Sequence, residues 1–153
     1  MKRLLALATI AILAACGGSS DGNDTTAYTS TAEIADTLQA AGLTCEGFTL
    51  DESTDAGLEG IPNAIEGASC TDAEYDIEMS IYGSEVDLQR ATGRTAFMSY
   101  CLLADGFGFD LDGSQWTIGA NFVVSVSDPD GKFRDAAPYA KALGGTVKTI
   151  DCP

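Results

Sequence analysis

The stretch Tyr75-Asp76-Ile77-Glu78-Met79-Ser80-Ile81-Tyr82 alternates in polarity along its whole length. Successive side chains of a β-strand point to opposite faces, so this run predicts a half-buried antiparallel strand with Tyr75, Ile77, Met79 and Ile81 turned toward a core. Ala68 to Thr71 precede it across Asp72-Ala73-Glu74, which reads as a hairpin. A second hairpin follows the same logic. Gln115 to Ile118 and Asn121 to Ser127 flank Gly119-Ala120, and Phe122, Val124 and Val126 share one face. These three residues match Tyr75, Ile77 and Met79 at a constant offset of 47. Any two half-buried strands share that alternation, so the offset does not by itself establish a repeat.

Helical signals surround the hairpins. Ser30 and Glu33 have capping-box spacing, Ile34, Leu38 and Ala41 recur on one face, and Gly42 suits the left-handed C-terminal position, which predicts a helix over 31–41. Ser84 with Asp87 starts a second helix through Val86, Arg90, Phe97 and Cys101, with Gly93 a weak point midway. Asp128-Pro129-Asp130-Gly131 is a turn by composition, and a third helix runs to Leu143 before Gly144-Gly145. Pro138 either begins that helix or kinks it. Thr146 to Asp151 reads as a closing strand, and Glu46 to Gly67 as a long acidic loop of the kind that is usually functional or mobile. The order helix, hairpin, helix, hairpin, helix, strand predicts an α+β domain: an antiparallel sheet of about five strands with helices packed on one face.

Charge and cysteine usage narrow the class. The chain of 153 residues has 23 acidic and 8 basic side chains and a net charge of −15. From Gly17 to Gln89 there are 16 acidic residues and no Lys or Arg. Such a surface repels nucleic-acid phosphates and anionic lipid headgroups, so nucleic acid is not an expected partner. Cys45, Cys70, Cys101 and Cys152 are widely spaced, and there is no His, which argues for disulfides and against zinc or another metal. Four cysteines allow three pairings. Cys45 lies just past the first helix and Cys70 in the first strand, elements that should stack. Cys101 sits near the end of the second helix, over the same sheet, and Cys152 at the end of the last strand. Position therefore predicts Cys45 with Cys70 and Cys101 with Cys152.

The N-terminal residues carry a different signal. Lys2-Arg3, an apolar run from Leu4 to Ala15 and small residues before Cys16 have the form of an export signal. Twelve residues rise only about 18 Å as a helix, too short for roughly 30 Å of hydrocarbon. Leu13-Ala14-Ala15-Cys16 resembles the lipobox of bacterial lipoproteins. That resemblance implies cleavage before Cys16, a diacylglyceryl thioether on Cys16 and N-acylation by a chain such as palmitate. Residues 1–15 are then a lipoprotein signal peptide, 16–29 a flexible lipid-anchored tether, and 30–153 a single extracytoplasmic α+β domain on the cell membrane. The tether Gly17 to Thr29 is polar and small, with a mean span of about 20 Å. The chain also resembles small actinobacterial lipoproteins in which a helix ending Gly-Leu-x-Cys precedes a Gly-x-x-Cys strand and an aromatic hairpin. Here those residues are Gly42 to Cys45, Gly67 to Cys70 and Trp116 to Val126. The group implies no activity.

Several chemistries are excluded or weakened. Without His there is no Ser-His-Asp triad, Cys-His pair or imidazole metal site. No Ser-x-x-Lys occurs, and the four cysteines after Cys16 are expected to be in disulfides, which removes thiol nucleophiles. Asp110-Leu111-Asp112-Gly113-Ser114 starts like a calcium loop, but Ser114 and Asn121 stand where further ligands belong, so a turn entering the hairpin is expected instead. No catalytic residue and no cofactor are expected. The reading is a non-catalytic binding or interaction module, membrane-held through the lipid on Cys16, with an envelope protein as the possible partner and an unknown ligand. The segment 46–67 and the Trp116 to Phe122 hairpin are its natural contact surfaces. An acidic calcium-binding envelope protein is the alternative, and a hydrolase built on two carboxylates a minor one.

Overall fold

The computed structural model describes residues 26–51, 62–72, 74–108, 110–128 and 135–153. Residues 1–25 lie outside this set, and with them the segment expected to be an export signal, Cys16 and most of the expected tether. The Tyr75 stretch is strand β3 (Tyr75–Ile81), and the strand before it is β2 (Glu66–Asp72). They pair antiparallel from Glu66 with Ile81 to Asp72 with Tyr75. The second hairpin is β4 (Gln115–Ile118) and β5 (Phe122–Ser127). β5 lies against β3, with Ile77 opposite Val126, Met79 opposite Val124 and Ile81 opposite Phe122. The residues related by the 47-residue offset thus belong to the two neighbouring central strands.

Two edge strands complete the sheet, β1 (Glu46–Leu50) and β6 (Thr146–Thr149). The order is β1-β2-β3-β5-β4-β6, antiparallel throughout. The class and sheet type are those expected, with six strands among the described residues rather than about five. The extra strand is β1, which occupies the start of the expected loop at 46–67. Its five residues are all exposed, so no alternation of polarity announces it. Gly47, with a φ of 65°, stands where the β1–β2 register shifts. The middle of that segment, 52–61, lies outside the described residues.

Helix α1 (Thr31–Ala40) begins at Ser30, whose hydroxyl accepts from the Glu33 amide at 3.3 Å. Glu33 Oε2 closes the cap one residue further out, accepting the Thr29 amide and hydroxyl, each at 2.9 Å. Those bonds, the backbone one foremost, lower the Glu33 pKa. Gly42 (φ 82°) ends the helix while the Leu43 amide donates to Leu38 O. Helix α4 (Ala137–Leu143) carries Pro138 in its first turn, where the missing amide costs nothing, so the proline begins this helix instead of kinking it.

α1 and α4 cover one face of the sheet. Ile34, Leu38, Tyr139 and Leu143 meet Ile77, Met79, Ile81, Phe122, Val124 and Val126 in the main core. Tyr28 belongs to it too, edge-on to Phe122 at 5.1 Å between ring centres, with its hydroxyl donating to Leu143 O. The Asn121 side chain holds the Tyr28 backbone by two bonds, at 3.0 and 2.8 Å. Packing of the domain therefore begins before residue 30, inside the segment expected to be tether.

The expected second helix is two, α2 (Glu85–Ala91) and α3 (Arg94–Phe107). They break at Gly93, where a Cβ would stand 2.9 Å from Gln89 O. α3 does not join α1 and α4. Thr117 donates to Ala136 O at the start of α4, so its β4 neighbours Trp116 and Ile118 point to the opposite face. Phe97 and Cys101 pack on that face with Trp116, Ile118 and Ile150. Helices on both faces correct the one-face expectation. The signal lay in β4 and β5, where Val123 is buried as well as Phe122 and Val124.

Both disulfides pair as position predicted. Cys45–Cys70 has a Cα separation of 5.2 Å and lies within the main core. Cys101–Cys152, at 5.8 Å, ties α3 to the chain beyond β6.

Candidate interaction surface

Helix α3 is apolar over more of its circumference than its packing uses. Ala96, Phe97, Cys101 and Ala104 face inward. Phe97 meets Trp116 edge-on at 5.3 Å and Tyr100 lies 5.8 Å from the same indole, forming an aromatic floor beneath the helix. Burial raises the Tyr100 pKa, and burial with Tyr100 beside it pushes Tyr82 up to about 12. Both phenols therefore stay neutral and serve as packing. Trp116 Nε1 is buried without a hydrogen-bond partner among the described residues.

Three fixings hold α3 in place. The disulfide grips its middle. Lys148 of β6 donates to Thr92 O at the corner between α2 and α3, and its ammonium lies 4.6 Å from the centre of the Phe97 ring. Gly108, with φ 80°, closes its C-terminus in the left-handed conformation.

The outer face carries Met98, Leu102, Leu103 and Phe107, of which Leu102 is 71% and Phe107 72% exposed. These four exposed apolar side chains are spread over about half of the helix circumference, at 3.6 residues per turn, and more exposed apolar surface on one helix than a core needs is of the kind that marks contact sites. A cleft of about 480 Å³ beside the first half of α3 is lined by Arg94, Met98, Lys148 and Asp151. Another, of about 630 Å³ beside the second half, is lined by Leu102, Asp105, Asp110 and Asp112. The flank of the helix is thus cationic at its start and acidic at its end.

The two surfaces singled out from sequence fare differently. In the Trp116 to Phe122 hairpin the aromatic side chains are inside: Phe122 is fully buried under α1 and α4, and Trp116 is largely covered by α3. That corrects the expectation of an aromatic contact hairpin. In the segment 46–67, β1 forms the sheet edge with Phe48 and Leu50 exposed. Cys16 lies outside the described residues, so its site has no geometry here. The α3 face was missed although a signal existed. In Phe97-Met98-Ser99-Tyr100-Cys101-Leu102-Leu103, apolar residues fall on all sides, more than one buried stripe requires.

Two carboxylates of the second cleft are engaged in the fold. Asp110 Oδ1 accepts from the Asp112 amide at 2.9 Å and Asp112 Oδ1 from the Cys152 amide at 3.0 Å, fastening the turn before β4 to the C-terminal segment. No group of three or more Cys, Asp or Glu among the described residues is placed to hold a metal ion. Glu78, on the sheet face that α3 leaves uncovered, has its pKa raised by desolvation and by Asp51 and Asp76. No helix among the described residues is long and apolar enough to cross a membrane. No family model, curated protein or solved structure matches the chain.

Proposed function

We propose that the protein is a lipid-anchored, extracytoplasmic, non-catalytic interaction module, held to the membrane through Cys16 and presenting the outer face of α3 to a protein partner. The observation that carries the role is the set of exposed apolar side chains Met98, Leu102, Leu103 and Phe107 on a helix fixed by a disulfide and an aromatic floor. A rigid element displaying apolar side chains loses little conformational freedom on binding, which favours association. The location rests on Leu13-Ala14-Ala15-Cys16 and on two disulfides, which persist in oxidising compartments.

Photocrosslinking in intact cells tests the role. A benzophenone side chain at Leu103 should give a discrete protein adduct, whereas the same probe at Asp36, on the exposed side of α1, should not. Equal, diffuse labelling from both positions would contradict the reading.

A further inference from the structure

We propose that the strap before α1, Thr26 to Ser30, sets how the domain stands on the membrane: the chain to Cys16 leaves at one end of the sheet, and the C-terminal half of α3 is held at the other end, turned away from the lipid. This rests on the lipid at Cys16 and adds the direction from which a partner of α3 approaches. Tyr28 fixes the exit point. It is buried, its hydroxyl donates to Leu143 O at 3.2 Å, and the Asn121 side chain holds its backbone amide and carbonyl. Thr26 lies so close to Gly144 that a Cβ there would stand 2.8 Å from the Thr26 hydroxyl oxygen. Asn121 is in the turn between β4 and β5, and Gly144 precedes β6. The strap is therefore docked where β4 ends and where β5 and β6 begin.

α3 runs toward the opposite end. Its middle is tied by Cys101–Cys152 to the segment beyond β6, and the turn that follows the helix enters β4 at Gln115, opposite Thr149, the last residue of β6. Within that turn the Gly113 amide donates to Ile150 O at 2.9 Å, and the Ile150 amide to Ser114 O at 2.8 Å. Leu102, Leu103 and Phe107 lie in this half of the helix. The seven residues of β3 separate the two ends of the sheet by about 23 Å. Charge favours the same orientation. Asp105, Asp110 and Asp112 lie at the α3 end, with Asp151 after β6 and Asp72 and Glu74 at the β2–β3 turn, and anionic headgroups repel such carboxylates.

The length of chain left between the lipid and the strap limits how far the domain can turn over. With Thr26 docked, only residues 16–25 connect the two, and ten residues reach at most about 35 Å. Inverting the domain would lift the strap by the height of the sheet and of the turns beyond it, which consumes most of that reach; the upright arrangement consumes none of it. Were residues 26–30 also free, the limit would rise to about 50 Å and inversion would be open. A partner of Leu102, Leu103 and Phe107 therefore arrives from the side opposite the lipid, as a protein surface beyond the headgroups.

The test uses the full chain, extracted with its lipid from the membranes of cells that export it and reconstituted in phosphatidylcholine vesicles that carry an acceptor dye on a lipid headgroup. A donor dye is attached through an azide-bearing side chain at one of two exposed positions. Glu85 lies at the strap end, just past Tyr82, whose amide donates to Asn121 O; Gly106 lies in the last turns of α3, where a Cβ meets nothing within 4 Å. Energy transfer to the vesicle surface should be at least about threefold greater from position 85 than from position 106. Inserting twenty Gly and Ser residues, a flexible coil, between Thr25 and Thr26 leaves every contact of Tyr28 in place and should bring that ratio to about one. Because the insertion lies outside the packed domain, its effect cannot be assigned to unfolding. Equal transfer from both positions in the native chain, or more from 106, in protein that floats with the vesicles would overturn the orientation and leave the anchor standing. A ratio indifferent to the insertion would overturn the part given to the short connection. Protein that does not float with the vesicles would end the lipid-anchor reading and this proposal with it.

Discussion

Removing the Cys101–Cys152 disulfide by the double change Cys101→Ala, Cys152→Ala should have a cost and a location that both follow from the structure. The bridge closes a sequence separation of 51 residues, against 25 for Cys45–Cys70. Chain entropy assigns about 4 kcal/mol to the longer loop and about 3.5 kcal/mol to the shorter, each a large share of the roughly 5–15 kcal/mol that stabilises a domain. The difference in location is more discriminating. Cys45 and Cys70 sit in the main core, so their loss falls on the whole domain. Cys101 belongs to a small cluster with Phe97 and Ile150, so its loss should free α3 and the C-terminal segment before the sheet opens. Urea denaturation gives the cost, and hydrogen exchange read by mass spectrometry gives the location. In the Cys101/Cys152 variant α3 and β6 should lose protection while β3 and β5 keep most of theirs. A cost under about 1 kcal/mol, or protection lost evenly across α3, β3 and β5, would refute this division into a main core and a stapled helix.

Two further predictions follow from single contacts. Glu66 Oε1 accepts both the amide and the hydroxyl of the fully buried Thr31 at 2.6 Å, which lowers the Glu66 pKa and joins α1 to β2. Glu66→Ala should cost about 2 kcal/mol at pH 7 by orphaning those donors. Because the folded-state pKa is depressed, the part of that cost due to ionisation is present above the unfolded pKa near 4.3 and fades as pH falls through the folded value; denaturation curves at pH 7 and pH 3 that show the same loss would contradict it. Trp116 fills the floor beneath α3 while its buried Nε1 has no partner among the described residues. Trp116→Phe removes that unsatisfied donor and should cost under about 1.5 kcal/mol, whereas Trp116→Ala should cost about 3–5 kcal/mol; similar melting temperatures for the two variants would show that the indole is not packed as described.

What could be read from the residues depended on whether one face or two were buried. β3 alternates because its second face is polar, and the capping residues of α1 sit at its start, so both were legible. The disulfide pairing was legible because it depends only on which elements neighbour each other. β1 was not, since all five of its residues are exposed and the strand is made by backbone pairing with β2. The placement of α3 was obscured in the opposite way. β4 and β5 bury residues on both faces, and such strands look like continuous apolar runs whose two sides cannot be assigned to particular helices. Trp116 and Phe122 look like a contact pair for the same reason: aromatic residues suit interfaces and cores alike, and only the position of α3 decides between them. The surplus apolar residues of α3 were visible but ambiguous, because a second buried face would explain them equally well.

The intact mass of the protein extracted from the membranes of cells that export it tests the account most directly. The account predicts a chain that begins at Cys16, carries a diacylglyceryl group and an acyl chain on that residue, and holds Cys45, Cys70, Cys101 and Cys152 as two disulfides. A chain that begins elsewhere with Cys16 unmodified, or one whose four other cysteines titrate as free thiols, would contradict it.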